Sequence, residues 1–401
     1  MSPTSGASLF AAAGLRSFVT GLTGVLLGLY LARLALPAAT VGVVLGLGLA
    51  GNAIGTALVA FAGERLGRRR LLVVSSVLSA AGLTALALTD RPLVLSVAAL
   101  VGMVNAMGRD RGPAQTVDQS LLADWAGDAE RTRVFARYTL VQDILGAGGS
   151  LAAAAPALFV GAFDLTPVEA NRWVLAGAAG LSLVTAGLYS TLPQPPGHSP
   201  AAPVPVSPSS RRRLSGLSGL FALDSLGGGL IAGSVLSYWF FRRFELGGET
   251  LGPVFFAARA LNAASYVAAE WLARRIGLVR TMVYTHLPSS VLLFALPFVP
   301  TATGAVTLFL LREALVQMDV PTRQSYVAAV TLPGERTFAF GVTGVVRNVG
   351  WALGPPMAGV AIAAWGLGAP LVLGAALKTA YDLTLFASYR GVAAPEERRD
   401  A

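Results

Sequence analysis

The stretch AFAGERLGRRRLL, residues 60–72, places four arginines and one glutamate at the junction of two long apolar runs. These runs cover residues 39–63 and 71–89, and a helix needs about 20 mostly apolar residues to cross the hydrocarbon core of a membrane. The pattern predicts a membrane-spanning helical hairpin. The rest of the chain has the same character, since 54% of its 401 residues are hydrophobic and 13% are charged, whereas soluble domains carry about 25% charged residues.

Twelve apolar runs of sufficient length predict an all-α integral membrane protein with twelve transmembrane helices. We expect spans near residues 9–35, 39–63, 71–89, 93–116, 133–160, 168–192, 215–241, 250–273, 279–299, 303–329, 336–365 and 367–389. A segment rich in Pro, Ser and Ala separates the sixth span from the seventh, as a solvated linker would. The predicted domains are therefore an N-terminal six-helix bundle (1–192), a cytoplasmic linker (193–214) and a C-terminal six-helix bundle with a short cytoplasmic tail (215–401).

The two halves of the sequence repeat each other. The sequence Glu-Arg-Thr begins span five at Glu130 and span eleven at Glu335, 205 residues later, and a phenylalanine follows three residues after the threonine in both. Asn52-Ala53 in span two likewise matches Asn262-Ala263 in span eight, 210 residues later. Two matches at nearly the same offset predict an internal duplication and hence two pseudo-symmetric bundles.

The 60–72 stretch resembles the loop signature that members of the major facilitator superfamily carry between their second and third helices. The signature is roughly G-x-L-a-D-r-x-G-r-k; four residues match it, and Ala60 and Glu64 replace its leading Gly and its Asp. The matching residues are Arg65, Gly67, Arg68 and Arg69. With twelve spans and a duplication, the resemblance implies a secondary transporter that works by alternating access around a midplane cavity. It also implies that Glu64 and the arginines bridge cytoplasmic helix ends and stabilise the outward-facing state, and these arginines could also bind lipid headgroups.

Composition excludes several other chemistries. The chain has no cysteine, and two histidines, His198 and His286, are too few for a His-rich metal centre. The single lysine, Lys378, follows Leu377 and not a glycine, so there is no Walker A loop. The net charge of +9 comes from arginine clusters in short loops, which set topology in membrane proteins. We expect a multi-pass protein of the inner (plasma) membrane with both termini cytoplasmic, and no nucleic-acid partner.

Asp224 is the most informative intramembrane charge, because no other charged residue lies between Leu214 and Phe241. It sits ten residues into its span, roughly 15 Å along the helix and near the midplane. Arg16 lies within about a turn of the equivalent position in the first half, and the resemblance makes an Arg16–Asp224 pair plausible. Such a pair could be a permanent tie. Alternatively it could break during transport and let Asp224 take up a proton.

The other candidate residues fall into two groups. The first group lies in spans four and ten, which we expect to be broken at Pro113 and Pro321. We expect its residues to form charge-paired gates or to contact substrate, and they are Arg111, Asp319 and Arg323. In the second group, Asp143 is a second candidate proton carrier and Arg347 a candidate anion contact. Asn52 and Asn262 are hydrogen-bonding groups of a cavity or interhelical ties. We interpret His286 as a local hydrogen-bonding residue and Lys378 with Asp382 as an intrahelical pair.

The leading hypothesis is a monomeric, proton-coupled transporter of a small solute in contact with membrane lipids, without a cofactor. Export, as in an efflux antiporter, is preferred to uptake because no dedicated uptake motif is visible. The charge of the substrate is not determined by the sequence, since both carboxylates and arginines are candidates for the cavity. A sensor or scaffold that kept the fold without transport is an alternative, and so is a lipid-modifying membrane enzyme, although no DxD pair supports the latter.

Overall fold

The computed structural model of the chain describes residues 3–125, 131–193, 208–330 and 336–389. In these ranges the regular structure is helical throughout. The α-helices are α1 (Pro3–Arg33), α2 (Ala38–Leu66), α3 (Arg68–Leu88), α4 (Pro92–Val101), α5 (Pro113–Trp125), α6 (Arg131–Ala152), α7 (Ala155–Phe163), α8 (Pro167–Ser190), α9 (Pro208–Leu230), α10 (Gly233–Phe244), α11 (Gly248–Ile276), α12 (Leu278–Ala295), α13 (Ala302–Val316), α14 (Asp319–Val330), α15 (Arg336–Trp365) and α16 (Ala369–Tyr389). One 3-10 turn, Leu296–Phe298, follows α12.

Eight helical stretches of the described chain are long and apolar enough to cross a membrane, judged by length and composition. The eighth and eleventh predicted spans are single helices, α11 with 29 residues and α15 with 30. The fourth and tenth predicted spans are each divided between two shorter helices, α4 with α5 and α13 with α14. The predicted all-α membrane fold is confirmed. The divided spans account for part of the difference between the twelve predicted spans and the eight helical stretches.

The breaks in spans four and ten lie before the prolines and not at them, which corrects the sequence-based expectation. The first is residues 102–112, and the second is residues 317–318. Pro113 and Pro321 both stand in the first turn of the helix that follows, where the missing N–H would have had no partner. Asn105 stabilises the first break, because its Oδ1 accepts the N–H groups of Met107 and Gly108.

The three glycines after Asp224 allow close packing rather than a bend at their own position. Helix α9 runs through them and ends at Leu230. A Cβ atom added to Gly229 would stand 2.7 Å from the carbonyl oxygen of Trp351 on α15, and one added to Gly227 would stand 3.1 Å from Cγ of Lys378 on α16. The glycines therefore bring the backbone of α9 close to α15 and α16, which carry partners of Asp224.

The chain forms two compact units. Unit 1 comprises Met1–Pro200, Ala232–Phe256 and Pro355–Ala364, and unit 2 comprises Ala201–Ile231, Ala257–Gly354 and Trp365–Ala401. Unit 1 thus includes α10. The Ser237 hydroxyl donates to the carbonyl of Val25 on α1 at 2.8 Å, and the Ser234 N–H donates to the carbonyl of Ala106 in the 102–112 segment at 2.9 Å. Both units contain residues from the second half of the sequence, so the division at 193–214 stays a prediction.

The internal repeat is visible in local structure. Asn52 donates its amide to the carbonyl of Met103 at 2.6 Å, and Asn262 donates to the carboxylate of Glu313 at 2.9 Å, in both cases to a residue 51 positions later. Gly67 and Gly277, which are 210 residues apart, have φ angles of 85° and 87° before α3 and α12. Positive φ favours glycine, so the same turn is required twice. Residues Glu130 and Glu335, on which the other match depends, lie outside the described residues.

The contact between α1 and α6 requires glycine, and this gives a testable prediction. A Cβ atom on Gly21 would overlap the carbonyl oxygen of Gly146, and one on Gly149 would overlap that of Phe18. We expect Gly21→Ala to lower the free energy of unfolding by about 1–3 kcal/mol, because backbone atoms have to move. Thermal unfolding of the purified protein in detergent measures this.

Gly187→Ala in α8 is the matched control, because no atom lies within 4 Å of its added Cβ. Alanine is a better helix former than glycine, so this variant should unfold at the same temperature or a higher one. Equal destabilisation by both substitutions would contradict the proposed packing at Gly21.

Candidate functional site

The first candidate site is a buried polar cluster in unit 1 around Arg16 of α1. The guanidinium donates from Nε to Asp110 at 2.7 Å, from Nη2 to Asp118 at 2.9 Å and to the Tyr138 hydroxyl at 3.2 Å, and from Nη1 to the Tyr189 hydroxyl. Both tyrosine hydroxyls donate in turn to Oδ2 of Asp118, at 2.9 and 3.0 Å. We call these five residues the Arg16 cluster.

The Arg16 cluster carries more negative than positive charge. Asp110 and Asp118 share one guanidinium, and Asp118 is fully buried in α5. Asp118 already has three donors, whereas Oδ2 of Asp110 accepts from Arg16 and from the Gln142 side chain at 2.9 Å. With both carboxylates ionised, the cluster has a net charge of −1. Such an excess inside a membrane domain favours a proton or another cation nearby.

A cavity of about 60 Å³ borders the Arg16 cluster within unit 1. Its walls come from α1, α2, α3, α5, α8 and the non-helical segment 102–112, and Arg16 and Asp110 are its charged lining residues among the described ones. Asn52, a predicted cavity residue, lies in the wall and is also an interhelical tie through Met103. The remaining polar wall consists largely of serine and threonine hydroxyl groups.

The second candidate site is a buried ionic network in unit 2 around Asp224 of α9. Lys378 of α16 donates to Oδ1 of Asp224 at 2.8 Å, and Oδ2 lies 3.5 Å from Nη1 of Arg323 and 3.8 Å from Nη1 of Arg347. Nε2 of His286 is 3.8 Å from Oδ1. Asp382 completes what we call the Asp224 cluster, and its carboxylate contacts His286. Asp224 is only 4% exposed.

His286 occupies the centre of the Asp224 cluster. Its Nδ1 lies 2.9 Å from both carboxylate oxygens of Asp382, and its Nε2 lies 3.4 Å from the ammonium nitrogen of Lys378. The ring edge also faces Tyr381 at 5.9 Å. An ammonium group only donates, so Nε2 must accept and the proton belongs on Nδ1. The imidazole thus lies between a carboxylate and an ammonium, and its tautomer is assigned from these contacts.

These contacts differ from two pairings expected from the sequence and from the interpretation of His286. Arg16 pairs with Asp110 and Asp118 in unit 1, and Asp224 pairs with Lys378 in unit 2, in place of the expected Arg16–Asp224 pair. Lys378 and Asp382, expected to pair along α16, instead contact Asp224 and His286. His286 contacts charged groups of two other helices. Sequence spacing identifies neighbours on one helix, whereas these partners come from helices far apart in the sequence.

The structure also gives the contacts or the burial of the remaining intramembrane candidate residues. Arg323 donates to Asp319 one turn earlier on α14, so these two predicted residues are in contact. The Arg347 guanidinium stacks on the ring of Trp351, with 4.8 Å from Cζ to the centroid, and its Nη1 has no hydrogen-bond partner in the described chain. Asn262 is held by Glu313, which also pairs with Arg312. Arg111 and Asp143 are half-buried.

The loop between α2 and α3 is described in part. Arg65 is exposed, Gly67 makes the turn into α3, and Arg68 forms an ion pair with Asp124 at the end of α5. Arg69 donates to the carbonyl of Leu192 after α8 at 3.3 Å. The side chain of Glu64 lies outside the described residues. Two of the loop arginines thus connect α3 to the ends of α5 and α8.

Known proteins with similar sequence or structure are membrane proteins. The yeast (Saccharomyces cerevisiae) uncharacterized membrane protein YJR124C is 24% identical over 96% of this chain and 94% of its own. The nucleoside transporter NupG has a similar structure, with a TM-score of 0.76 at 13% identity over 96% of this chain and 99% of that one. A D-xylose-proton symporter gives 0.72 at 14% identity, with 98% of both chains covered.

Structural similarity at such low identity indicates a shared fold, here the twelve-helix transporter fold expected from the sequence. The family evidence is the match of residues 9–316 to the model of the Major Facilitator Superfamily. This match covers more than half of the chain and includes the 60–72 loop. The chain therefore belongs to the major facilitator superfamily.

Proposed function

We propose that the chain is a proton-coupled secondary transporter of a small solute, acting by alternating access. Family membership favours a transporter over an enzyme, and the similar structures include a proton symporter. The observation that carries the proton coupling is the Asp224 cluster, in which an imidazole lies between a buried carboxylate and a buried ammonium. Charged and titratable groups are costly inside a membrane and are associated with ion and proton pathways.

His286 is the proposed proton acceptor of this cluster, rather than Asp224. Asp224 faces Lys378, Arg323 and Arg347, and nearby cations favour its ionised form. His286 faces one cation, Lys378, and one close carboxylate, Asp382, with Asp224 and Tyr381 as its other titratable neighbours. A shift of Lys378 away from Nε2 would leave that nitrogen free to bind a proton. Imidazole is also the side chain that titrates nearest to neutral pH.

A two-step experiment tests this function. Purified protein is screened by thermal shift at pH 5.5 and pH 8 against sugars, nucleosides, amines and organic acids. A stabilising solute is then tested in proteoliposomes for counterflow and for accumulation driven by an imposed pH gradient. We expect counterflow, and accumulation that follows the gradient. Binding without counterflow would instead support the sensor or scaffold alternative, and counterflow insensitive to the gradient would contradict proton coupling.

The direction of transport is measured in the same vesicles. Export by proton antiport, which the sequence favoured, requires the solute to accumulate on the acidic side, whereas symport accumulates it on the alkaline side. The sign of the gradient that drives accumulation therefore distinguishes the two. The similar D-xylose-proton symporter shows that this fold also accommodates symport.

The proposed topology places the protein in the plasma membrane with both termini in the cytoplasm. The sequence contains no cysteine, so a single introduced cysteine can be labelled specifically. Leu66 and Asp90 are exposed in successive loops, before and after α3. We expect Leu66→Cys to react with a membrane-impermeant maleimide only from the cytoplasmic side and Asp90→Cys only from the outside. The opposite pattern would reverse the topology, and labelling of both residues from one side would contradict α3 as a span.

A further inference from the structure

The cavity in unit 1 has a chemical character that the proposed function does not use. We propose that it binds the primary ammonium group of a transported organic cation, with Asp110 as the counter-ion. This inference rests on the proposed transport function and specifies the substrate class. It follows from the size of the cavity, from the hydrogen bonds already made by its walls, and from the charges in its lining.

The size fits a head group rather than a large solute. The cavity volume is about 60 Å³, several times the about 10–15 Å³ that one water molecule needs. An ammonium group with the adjoining carbon fits into such a space.

Five of the seven hydroxyl groups that line the cavity donate their hydrogen to backbone carbonyl oxygens. Four of them donate to carbonyl oxygens four residues earlier on their own helices, at 2.7–3.0 Å: Ser75, Ser76, Ser182 and Thr185. Thr23 also donates to backbone carbonyl oxygens, at 3.2 Å. A hydroxyl that has used its hydrogen in this way retains its acceptor lone pairs. The wall therefore presents acceptors.

Most side-chain N–H groups of the wall are used as well. The amide nitrogen of Asn52 donates to two backbone carbonyls, and that of Asn105 donates to the carbonyl of Arg109 at 2.7 Å. Each of the three guanidinium nitrogens of Arg16 donates within the Arg16 cluster. A ligand rich in acceptors would find few side-chain donors here, whereas one with several N–H groups would find many acceptors.

The charges of the Arg16 cluster, which borders the cavity, favour a cation. The hydrogen bonds from Arg16 and Gln142 to Asp110 both use Oδ2, so Oδ1 is the carboxylate oxygen outside them. Arg16 is shared between Asp110 and Asp118, so with both carboxylates ionised the five residues of the Arg16 cluster have a net charge of −1. A primary ammonium supplies one positive charge and three N–H donors in a compact group. The positive charge would neutralise the excess negative charge, and the three N–H groups would donate to the acceptors of the wall.

Direct binding of small probes to the purified wild-type protein tests the inference independently of transport. The probes are ethanolamine, choline and ethylene glycol, and binding is measured by thermal shift and calorimetry at neutral pH. Ethanolamine carries a primary ammonium, choline carries the same charge without N–H donors, and ethylene glycol is neutral. We expect saturable binding of ethanolamine, at least ten-fold tighter than of the other two. Equal binding of choline, or no saturation by ethanolamine at 10 mM or so, would overturn the proposal.

Two Asp→Asn variants locate the site. Asp110→Asn leaves Arg16 paired with Asp118, so it should fold, and we expect it to weaken ethanolamine binding at least ten-fold. Asp118→Asn removes a carboxylate from the same cluster but not from the cavity wall, and we expect a change of three-fold or less. Thr185→Val, which removes one acceptor at nearly constant volume, should weaken binding two- to five-fold. Wild-type affinity in Asp110→Asn, or equal losses in both Asp→Asn variants, would overturn the assignment.

The two proposals fail in different ways. Ethanolamine binding that depends on Asp110, together with an absence of counterflow in proteoliposomes, would remove the transport function and keep the cation site. Counterflow of a neutral or anionic solute without ethanolamine binding would keep transport and overturn the cation site.

Discussion

Replacing His286 with glutamine is expected to abolish accumulation driven by a pH gradient, with a loss of at least about ten-fold, and to leave counterflow close to wild type. Glutamine can still donate an amide N–H to Asp382, which Nδ1 of His286 contacts at 2.9 Å. It has no ring nitrogen that takes up a proton near neutral pH. Counterflow exchanges solute without net proton movement, so it should continue. The comparison uses the solute found in the screen and vesicles with and without a gradient.

His198→Gln is the matched control, since His198 is the other histidine of the chain and belongs to the linker sequence. We expect it to retain both activities. A loss of counterflow together with accumulation in His286→Gln would indicate a structural role for the imidazole. Gradient-driven accumulation at the wild-type level would show that His286 carries no coupled proton.

Replacing Asp224 with asparagine should cost the protein about 3–5 kcal/mol of unfolding free energy, the range observed when one partner of a buried ion pair is removed. The substitution leaves the Lys378 ammonium without its carboxylate at 2.8 Å, close to the guanidinium groups of Arg323 and Arg347. Arg323 keeps Asp319 as a partner, whereas Arg347 keeps only the Trp351 ring among its described contacts. Denaturant unfolding in mixed micelles measures the loss.

A double variant and a surface control separate the charge effect from the substitution itself. Asp224→Asn combined with Lys378→Gln removes both members of the pair, and we expect it to recover at least half of the lost stability. Asp164→Asn makes the same chemical change at an exposed position with φ of 53°, a conformation that asparagine tolerates, and should be nearly neutral. Wild-type stability of Asp224→Asn would show that the carboxylate is not held by these cations.

The structure changes the effect expected from replacing Asp224. If Asp224 were a proton carrier paired with Arg16, its amide variant would mainly lose pH dependence. In the structure the carboxylate is surrounded by three cationic side chains, so its removal should first affect stability. The proposed proton carrier is therefore His286, which the sequence analysis interpreted as a local hydrogen-bonding residue. The sequence contained only a weak indication of this role. It placed a histidine inside a predicted span, while other spans carried buried charges for which no partner could be identified.

The Arg16 cluster likewise shows that the sequence alone does not identify the partners of a buried charge. The sequence identified Arg16 as a charge in the first span and Asn52 as a cavity residue. It did not identify Asp118, Tyr138 or Tyr189, because a single carboxylate or tyrosine in a span has no spacing pattern that indicates a partner. Those residues come from α5, α6 and α8, and the hydrogen bonds between them exist only after the helices pack.

The sequence by itself determined that this chain is a helical membrane protein, that its halves are duplicated and that it resembles the major facilitator superfamily. These properties depend on apolar runs, on loop arginines and on matching local motifs in the two halves, all of which can be read along the sequence without knowing which helices are in contact. The tertiary structure decided which charges meet, since a buried charge takes its partner from whichever helix packing brings within about 4 Å. Packing thus paired Asp224 with Lys378, placed Asp382 against His286 and put Asp110 in the wall of a cavity.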